Sequence, residues 1–238
     1  MLVICNGMPR SASTWSFNVA VELLATEGAA RSLHTGYSNE PDAFLAAIPP
    51  EATNVVLKCH AFTPAIADLS KTGAARVIYT IRNIADAAVS FIALFHVDFD
   101  HAIAVMDAAL HTLRLHRANG KALILGYDAI VANPADAVSQ VAGYLGLTVA
   151  PERLREVTDE TSLPRMRDKV PRRNDPHRPG PLVSHEGTFY DPKTLLNVGH
   201  IQDARPGAGR RTLKRSQMAQ IDALLHRYGL NEALQPVT

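Results

Sequence analysis

Residues 2–24 read LVICNGMPRSASTWSFNVAVELL, and the fold follows from how this stretch is parsed. Leu2-Val3-Ile4-Cys5 is a short continuous apolar run, the pattern of a strand buried on both faces. Gly7 to Thr14 supplies a turn of small and hydroxyl residues. From Trp15 onward, Phe17, Val19, Ala20, Val21, Leu23 and Leu24 mark an amphipathic helix. Strand, small-residue loop and helix together hold a phosphate: backbone N–H groups wrap the anion and the helix N-terminus adds partial positive charge. The loop departs from G-x-x-x-x-G-K-[ST]. Ala12 stands at the second glycine, Ser13 at the lysine, and the cation comes earlier, at Arg10. The loop is therefore expected to grip an anion without the lysine that serves an ATP γ-phosphate. The bland alternative is a buried strand running into a core helix.

The same grammar continues downstream. Asn39–Pro50 reads as a short helix between proline breaks. Asn54–Cys59 (NVVLKC) reads as a second buried strand delivering Lys58 and His60 at its end. Thr63-Pro64 opens the next short helix as N-cap and first residue. Ala75–Ile81 (ARVIYTI) is a third strand, followed at once by Arg82. Helices are expected over Ala85–Phe95 and Phe99–Ala118. In the second of these His101, His111 and His116 are read as solvent-facing or packing residues, because their spacing does not gather them on one face. Lys121–Gly126 is a fourth strand leading to Tyr127 and Asp128. Pro134–Leu145, ending at Gly146, and Pro151–Val157 are helices, and Lys214–Tyr228 is a closing helix. Strands alternating with helices predict a parallel α/β sheet. Arg10, Lys58 with His60, and Arg82 then fall on one edge, the carboxyl ends of the strands, where open α/β sheets bind ligands.

Composition is that of an ordinary globular chain: 238 residues, 47% hydrophobic, 20% charged, net charge +1. One domain, 1–238, is expected. The charge is uneven, because residues 165–215 hold 12 Lys/Arg against 5 Asp/Glu. The stretch 162–212 is read as a long basic loop or lid. Cys5 and Cys59 are too few for a disulfide framework and read as reduced, buried thiols. With no basic leader and no long apolar run, a cytoplasmic protein without a membrane span is expected.

Taken in order, these segments resemble the P-loop sulfotransferases, which use 3′-phosphoadenosine 5′-phosphosulfate (PAPS). Pro9-Arg10-Ser11-Ala12-Ser13-Thr14-Trp15 is similar to the family's 5′-phosphosulfate loop. Leu57-Lys58-Cys59-His60 is similar to its K-[TS]-H segment. Arg82-Asn83-Ile84-Ala85-Asp86-Ala87-Ala88-Val89-Ser90 resembles its 3′-phosphate motif, R-[ND]-x-x-D-x-x-x-S. Gly126-Tyr127-Asp128, Thr161-Ser162-Leu163-Pro164-Arg165-Met166 and Arg205-Pro206-Gly207 resemble its later motifs. The resemblance implies a P-loop nucleoside triphosphate hydrolase-like fold and transfer of a sulfuryl group from PAPS to an acceptor hydroxyl or amine, leaving adenosine 3′,5′-bisphosphate. It implies His60 as general base, with Lys58 and Arg10 stabilising charge on the bridging and leaving oxygens. Arg10 to Trp15, Arg82, Ser90, Tyr127, Thr161, Ser162, Arg205 and Gly207 would bind the donor, with Trp15 offering a flat face to adenine. No metal is required if cations neutralise the charge.

The match departs from the family at Ala12, where alanine disfavours positive φ, so the turn there is expected to differ or to be strained. It departs also at Leu163, in place of an aromatic, and in the last motif, which lacks its Trp and leaves Arg210 and Arg211 competing with Arg205. Two rivals stay open. A P-loop kinase lacks its lysine at Ser13. A non-catalytic nucleotide-binding or nucleic-acid-binding protein would use the basic segment. The acceptor, a small molecule, glycan or lipid, is not readable, although Leu33–Tyr37, Phe91–Phe99 and residues 166–200 are expected to shape its site. Homo-oligomerisation is left open.

Overall fold

The computed structural model describes residues 1–25, 32–172, 181–185, 188–201, 206–231 and 234. Its centre is a parallel sheet of five strands, β1 (Leu2–Asn6), β2 (Leu33–Tyr37), β3 (Asn54–Cys59), β4 (Ala75–Ile81) and β5 (Leu123–Gly126), in the order β2-β3-β1-β4-β5. Eleven helices are described: α1 (Ser13–Ala25), α2 (Pro41–Ala46), α3 (Pro64–Thr72), α4 (Ile84–Phe95), α5 (Phe99–Asn119), α6 (Tyr127–Ala132), α7 (Pro134–Leu145), α8 (Pro151–Glu160), α9 (Leu163–Asp168), α10 (Ala208–Thr212) and α11 (Arg215–Arg227). A short antiparallel pair, β6 (Val183–His185) and β7 (Thr188–Tyr190), lies outside the main sheet.

The apolar run of β1 is explained by its central place. Val3 and Cys5 pack with Phe17, Leu23, Val138 and Val141 of α1 and α7. Ile4, with the opposite pleat direction, packs with Leu57, Ile66 and Val77 on the α3 side. A third cluster joins Tyr79 and Ile81 of β4 to Ala88, Met106, Leu110 and Leu225 from α4, α5 and α11. Both faces are covered, so the central strands carry no alternation.

Three local expectations hold in detail. Thr63 accepts the Ile66 N–H and Pro64 begins α3. Gly146 ends α7 with φ 73°. His101 and His111 are exposed, whereas His116 is buried against Phe62 and Tyr79, with its Nε2–H donated to Asn6 Oδ1.

Two expectations are corrected. The sheet has a fifth strand, β2, where the sequence LHTGY shows neither an apolar run nor alternation. Among the described residues β2 is an edge strand, half-buried along its whole length and paired only with β3, from Leu33↔Asn54 to Tyr37↔Lys58. At such an edge, register is carried by main-chain bonds rather than by an apolar pattern. Its Gly36 is needed by packing, since a Cβ there would meet the Phe44 ring at 2.7 Å. Residues 162–212 are not one loop; they contain α9, the β6–β7 pair and α10. Among the described residues, no helix is long and apolar enough to cross a membrane.

Candidate active site

The loop between β1 and α1 is fixed by contacts to β4. Gly7 lies so close to β4 that a Cβ would meet Thr80 Oγ1 at 2.2 Å and Ser13 Cβ at 2.8 Å. Met8 N–H donates to the Thr80 carbonyl at 2.9 Å. Ser11 is fully buried and its hydroxyl lies 2.6 Å from the Met8 carbonyl and 2.7 Å from Thr80 Oγ1. The Ser11 side chain thus braces the loop and lines neither cavity described below. Arg10 and Ala12 both adopt left-handed backbone, φ 65° and 75°. The turn is therefore retained at Ala12 and strained, at a cost on the order of 1 kcal/mol.

β3 brings the second set. Lys58 is buried, with Nζ 4.6 Å from the centre of the Tyr37 ring and 3.2 Å from His60 Nε2. His60 Nδ1 lies 2.7 Å from the Gly7 carbonyl oxygen. A carbonyl only accepts, so Nδ1 carries the ring proton and Nε2 is the unprotonated nitrogen, accepting from the Lys58 ammonium. Burial first, then the Lys58 charge, pushes the His60 pKa down to about 3, so the ring is neutral at pH 7. Burial likewise lowers Lys58 to about 8, and burial followed by the Arg82 charge lowers Arg10 to about 10.

β4 and α4 bring the third. Arg82 is 6% exposed; its guanidinium stacks 4.1 Å over the Tyr127 ring and donates to the Arg10 carbonyl at 3.3 Å. Its Nε is buried with no hydrogen-bond partner among the described residues. A guanidinium N–H left dry is costly unless a ligand meets it. Ser90, two turns into α4, accepts from Arg10 Nε at 3.0 Å. Asp86 has a different task. Its two carboxylate oxygens accept the N–H groups of Gly207 and Gly209 at 2.8 and 2.7 Å, tying the start of α10 to α4. The approach is so close that a Cβ on Gly209 would meet the Ala85 backbone at 2.4 Å. Replacing Asp86 with alanine strands one buried and one half-buried N–H group and is expected to cost about 2–4 kcal/mol, which for a chain this size lowers the thermal midpoint by roughly 5–15 °C. Thermal denaturation measures it, and an unchanged midpoint would remove Asp86 as the anchor.

These groups surround two cavities. The first, of about 200 Å³, is lined by Trp15, Arg82, Ser90, Tyr127, Thr161, Ser162 and Leu163 among others. The second, of about 540 Å³, is lined by Lys58, His60, Ser13 and a largely apolar wall that includes Tyr37, Phe91, Phe95, Val97 and Tyr190. Arg10, Ala12, Thr14 and His200 line both. The hydroxyls of Thr161 and Ser162 are already engaged by the Val157 and Asp159 carbonyls, at 2.7 Å each. Gly207 lies against Asp86 and is not among the residues lining either cavity. Arg205 lies outside the described residues. Of Leu33–Tyr37, only Tyr37 reaches the second cavity. His200 was not singled out from sequence, since it sits in a segment without periodicity. Among the described residues, no group of three or more His, Cys, Asp or Glu side chains could hold a metal ion.

Comparison with known proteins gives a family and a fold. The family model described as "Sulfotransferase domain" matches residues 45–186, more than half of the chain. No curated protein matches it. The fold is similar to that of mouse sulfotransferase SULT7A1 complexed with PAP, at TM-score 0.68 and 14% identity, covering 97% of this chain and 84% of that one. It is also similar to retinol dehydratase in complex with androsterone and the inactive cofactor PAP, at TM-score 0.65 and 13% identity, covering 95% and 80%. At these identities the likeness is one of fold.

Proposed function

The chain belongs to the sulfotransferase family, and from that premise we propose that it transfers the sulfuryl group of PAPS to an acceptor hydroxyl, with His60 as general base. The observation that carries the reading is the shared wall: one cavity lined by Arg82, whose buried Nε has no hydrogen-bond partner among the described residues, and one lined by the neutral His60 imidazole, meeting at Arg10, Ala12, Thr14 and His200. PAPS, when bound, supplies the sulfuryl group and a bisphosphate leaving group. Arg82, whose Nε awaits an acceptor, and Ser90 would hold the 3′-phosphate, and Trp15 and Tyr127 the adenine side. The backbone of Arg10 to Thr14 and the N-terminus of α1 would hold the 5′ group. Arg205, or Arg210 or Arg211 of α10, would add a cation from the basic segment.

His60 Nε2 is the base because it alone of the two ring nitrogens carries no proton; in the ligand-free protein it accepts from Lys58 Nζ at 3.2 Å, and it would take the acceptor's proton once Lys58 turns to the leaving oxygen. Lys58 and Arg10 meet the charge that grows on the leaving side in a water-poor site, where fixed cations act strongly. The apolar wall of the second cavity supports a small-molecule acceptor with an apolar body. No carboxylate lines that cavity among the described residues, which favours a hydroxyl over a protonated amine.

Thermal shift tests the reading directly. Adenosine 3′,5′-bisphosphate at about a hundred times Kd stabilises by roughly 2.7 kcal/mol, a rise of about 5–10 °C, with or without Mg²⁺. A rise only with ATP and Mg²⁺ would instead make the protein a kinase. The pH dependence carries a second prediction. Lys58 has its pKa lowered to about 8, so it is charged below that value and neutral above it. Affinity for the bisphosphate is expected to fall above pH 8, by up to tenfold per unit if one proton is linked to binding. An unshifted lysine would hold affinity to beyond pH 10. Calorimetric titration from pH 6.5 to 9.5 reads this, and Lys58→Met should flatten the curve.

A further inference from the structure

His200 is the residue this reading leaves without a task. The segment that carries it is built onto the phosphate loop and the helix after it. Asn18 Nδ2 of α1 donates to the Thr194 carbonyl at 2.8 Å, and Arg10 donates to the His200 carbonyl. Leu195 and Leu196 are buried, Leu195 with φ 56°. Within the turn, His200 N–H donates to the Asn197 carbonyl at 2.9 Å, and Asn197 N–H donates back to His200 Nδ1 at 3.3 Å.

That second bond decides the chemistry of the ring. A ring nitrogen that accepts carries no proton, so in a neutral imidazole the proton is on Nε2. Burial first, then the facing Arg10, Lys58 and His60, keep the His200 pKa well below its ordinary value, which holds the ring neutral. The two histidines are thus opposite tautomers at one wall. His60 offers a lone pair at Nε2, and His200 offers an N–H at Nε2. His200 lines both cavities, whereas His60 lines only the second. A group passing from the first cavity to the second must pass the residues common to both.

We propose that His200 is a catalytic residue whose Nε2–H donates a hydrogen bond to a peripheral oxygen of the sulfuryl group, on bound donor and in transit. It forms and breaks no covalent bond and gives up no proton; His60 takes the acceptor's proton. The inference rests on the reading of the two cavities as donor and acceptor sides. A preorganised donor aimed at an oxyanion acts without reorganising during reaction.

The test compares two nucleotides that differ by the sulfuryl group. PAPS and adenosine 3′,5′-bisphosphate are titrated into the wild-type chain, His200→Phe and His200→Gln. His200→Phe is expected to weaken PAPS by about tenfold or more, the size of a lost hydrogen bond to a charged group, while the bisphosphate stays within about twofold. His200→Gln, which keeps an N–H donor, should recover most of the loss. Retained bisphosphate affinity also shows that each variant has folded. If His200→Phe does not fold, the wild type still decides. With ¹⁵N-labelled histidine, the His200 Nε2–H resonance, assigned by its loss in His200→Gln, should move on adding PAPS and not on adding the bisphosphate. Equal weakening of both nucleotides would make His200 a structural residue of the turn. No weakening of either, or a resonance that moves alike with both, would also overturn the proposal. If the wild type binds neither nucleotide, the donor-site reading itself fails, a result distinct from all of these.

Discussion

His60→Ala is expected to lower turnover by about 10²- to 10⁴-fold, the contribution of a positioned general base, while leaving affinity for adenosine 3′,5′-bisphosphate within about twofold. The two effects separate because His60 lines the second cavity and not the first, and its neutral ring, unlike the Lys58 cation beside it, offers a phosphate no charge. Its Nδ1 partner is the Gly7 carbonyl, so the ring is oriented by the strand end just before the phosphate loop. Asn6 supports the same geometry, with Nδ2 donating to the Ala61 carbonyl at 2.8 Å. The pH profile gives a second signature. A histidine with a pKa near 6.5 would make kcat/KM fall as pH drops through that value. His60 is held at about 3, so it stays in its working, unprotonated form far below that. The acid limb assigned to it is therefore expected near pH 3, and kcat/KM should be flat through pH 6.5. Initial rates of bisphosphate formation, with any acceptor the wild type uses, measure both. Wild-type turnover in His60→Ala would remove the base assignment.

Arg82→Ala is expected to weaken the bisphosphate by about 3 kcal/mol, roughly 100-fold, the loss of charge-assisted bonds to a phosphate. Affinity for 5′-AMP, which lacks the 3′-phosphate, should change little. The ligand-free protein gives the internal control. In it, the buried Arg82 Nε has no hydrogen-bond partner among the described residues, so removing the side chain also removes an unsatisfied polar group. Lost stacking on Tyr127 acts in the opposite direction. The melting temperature without ligand should therefore move by only a few degrees, while the rise produced by bisphosphate disappears. Titration with both nucleotides checks this. A bisphosphate affinity equal to that of the wild type would show that the 3′-phosphate is held elsewhere, with Arg210 and Arg211 the next residues to replace.

Much of this site was legible before any fold was known, and for one reason. In a parallel sheet each central strand is an apolar run that ends on the same edge, so the residue after each run is marked by position alone. Arg10, Lys58 with His60, and Arg82 are such residues. The caps at Thr63 and Gly146 are local in the same sense, because a cap is decided within a few residues of chain. What the sequence could not show depends on distance through space. β2 is an edge strand with no apolar signature, and it became visible only through its pairing with β3. The Asp86 carboxylate reads as part of a phosphate motif but is consumed by two N–H groups more than a hundred residues away. The tautomers of His60 and His200 are set by Gly7 and Asn197, and no single-residue property encodes them. Local pattern determined which residues stand at strand ends and helix starts; the tertiary structure alone decided which of them face each other and which hydrogen is on which nitrogen, because those are properties of pairs.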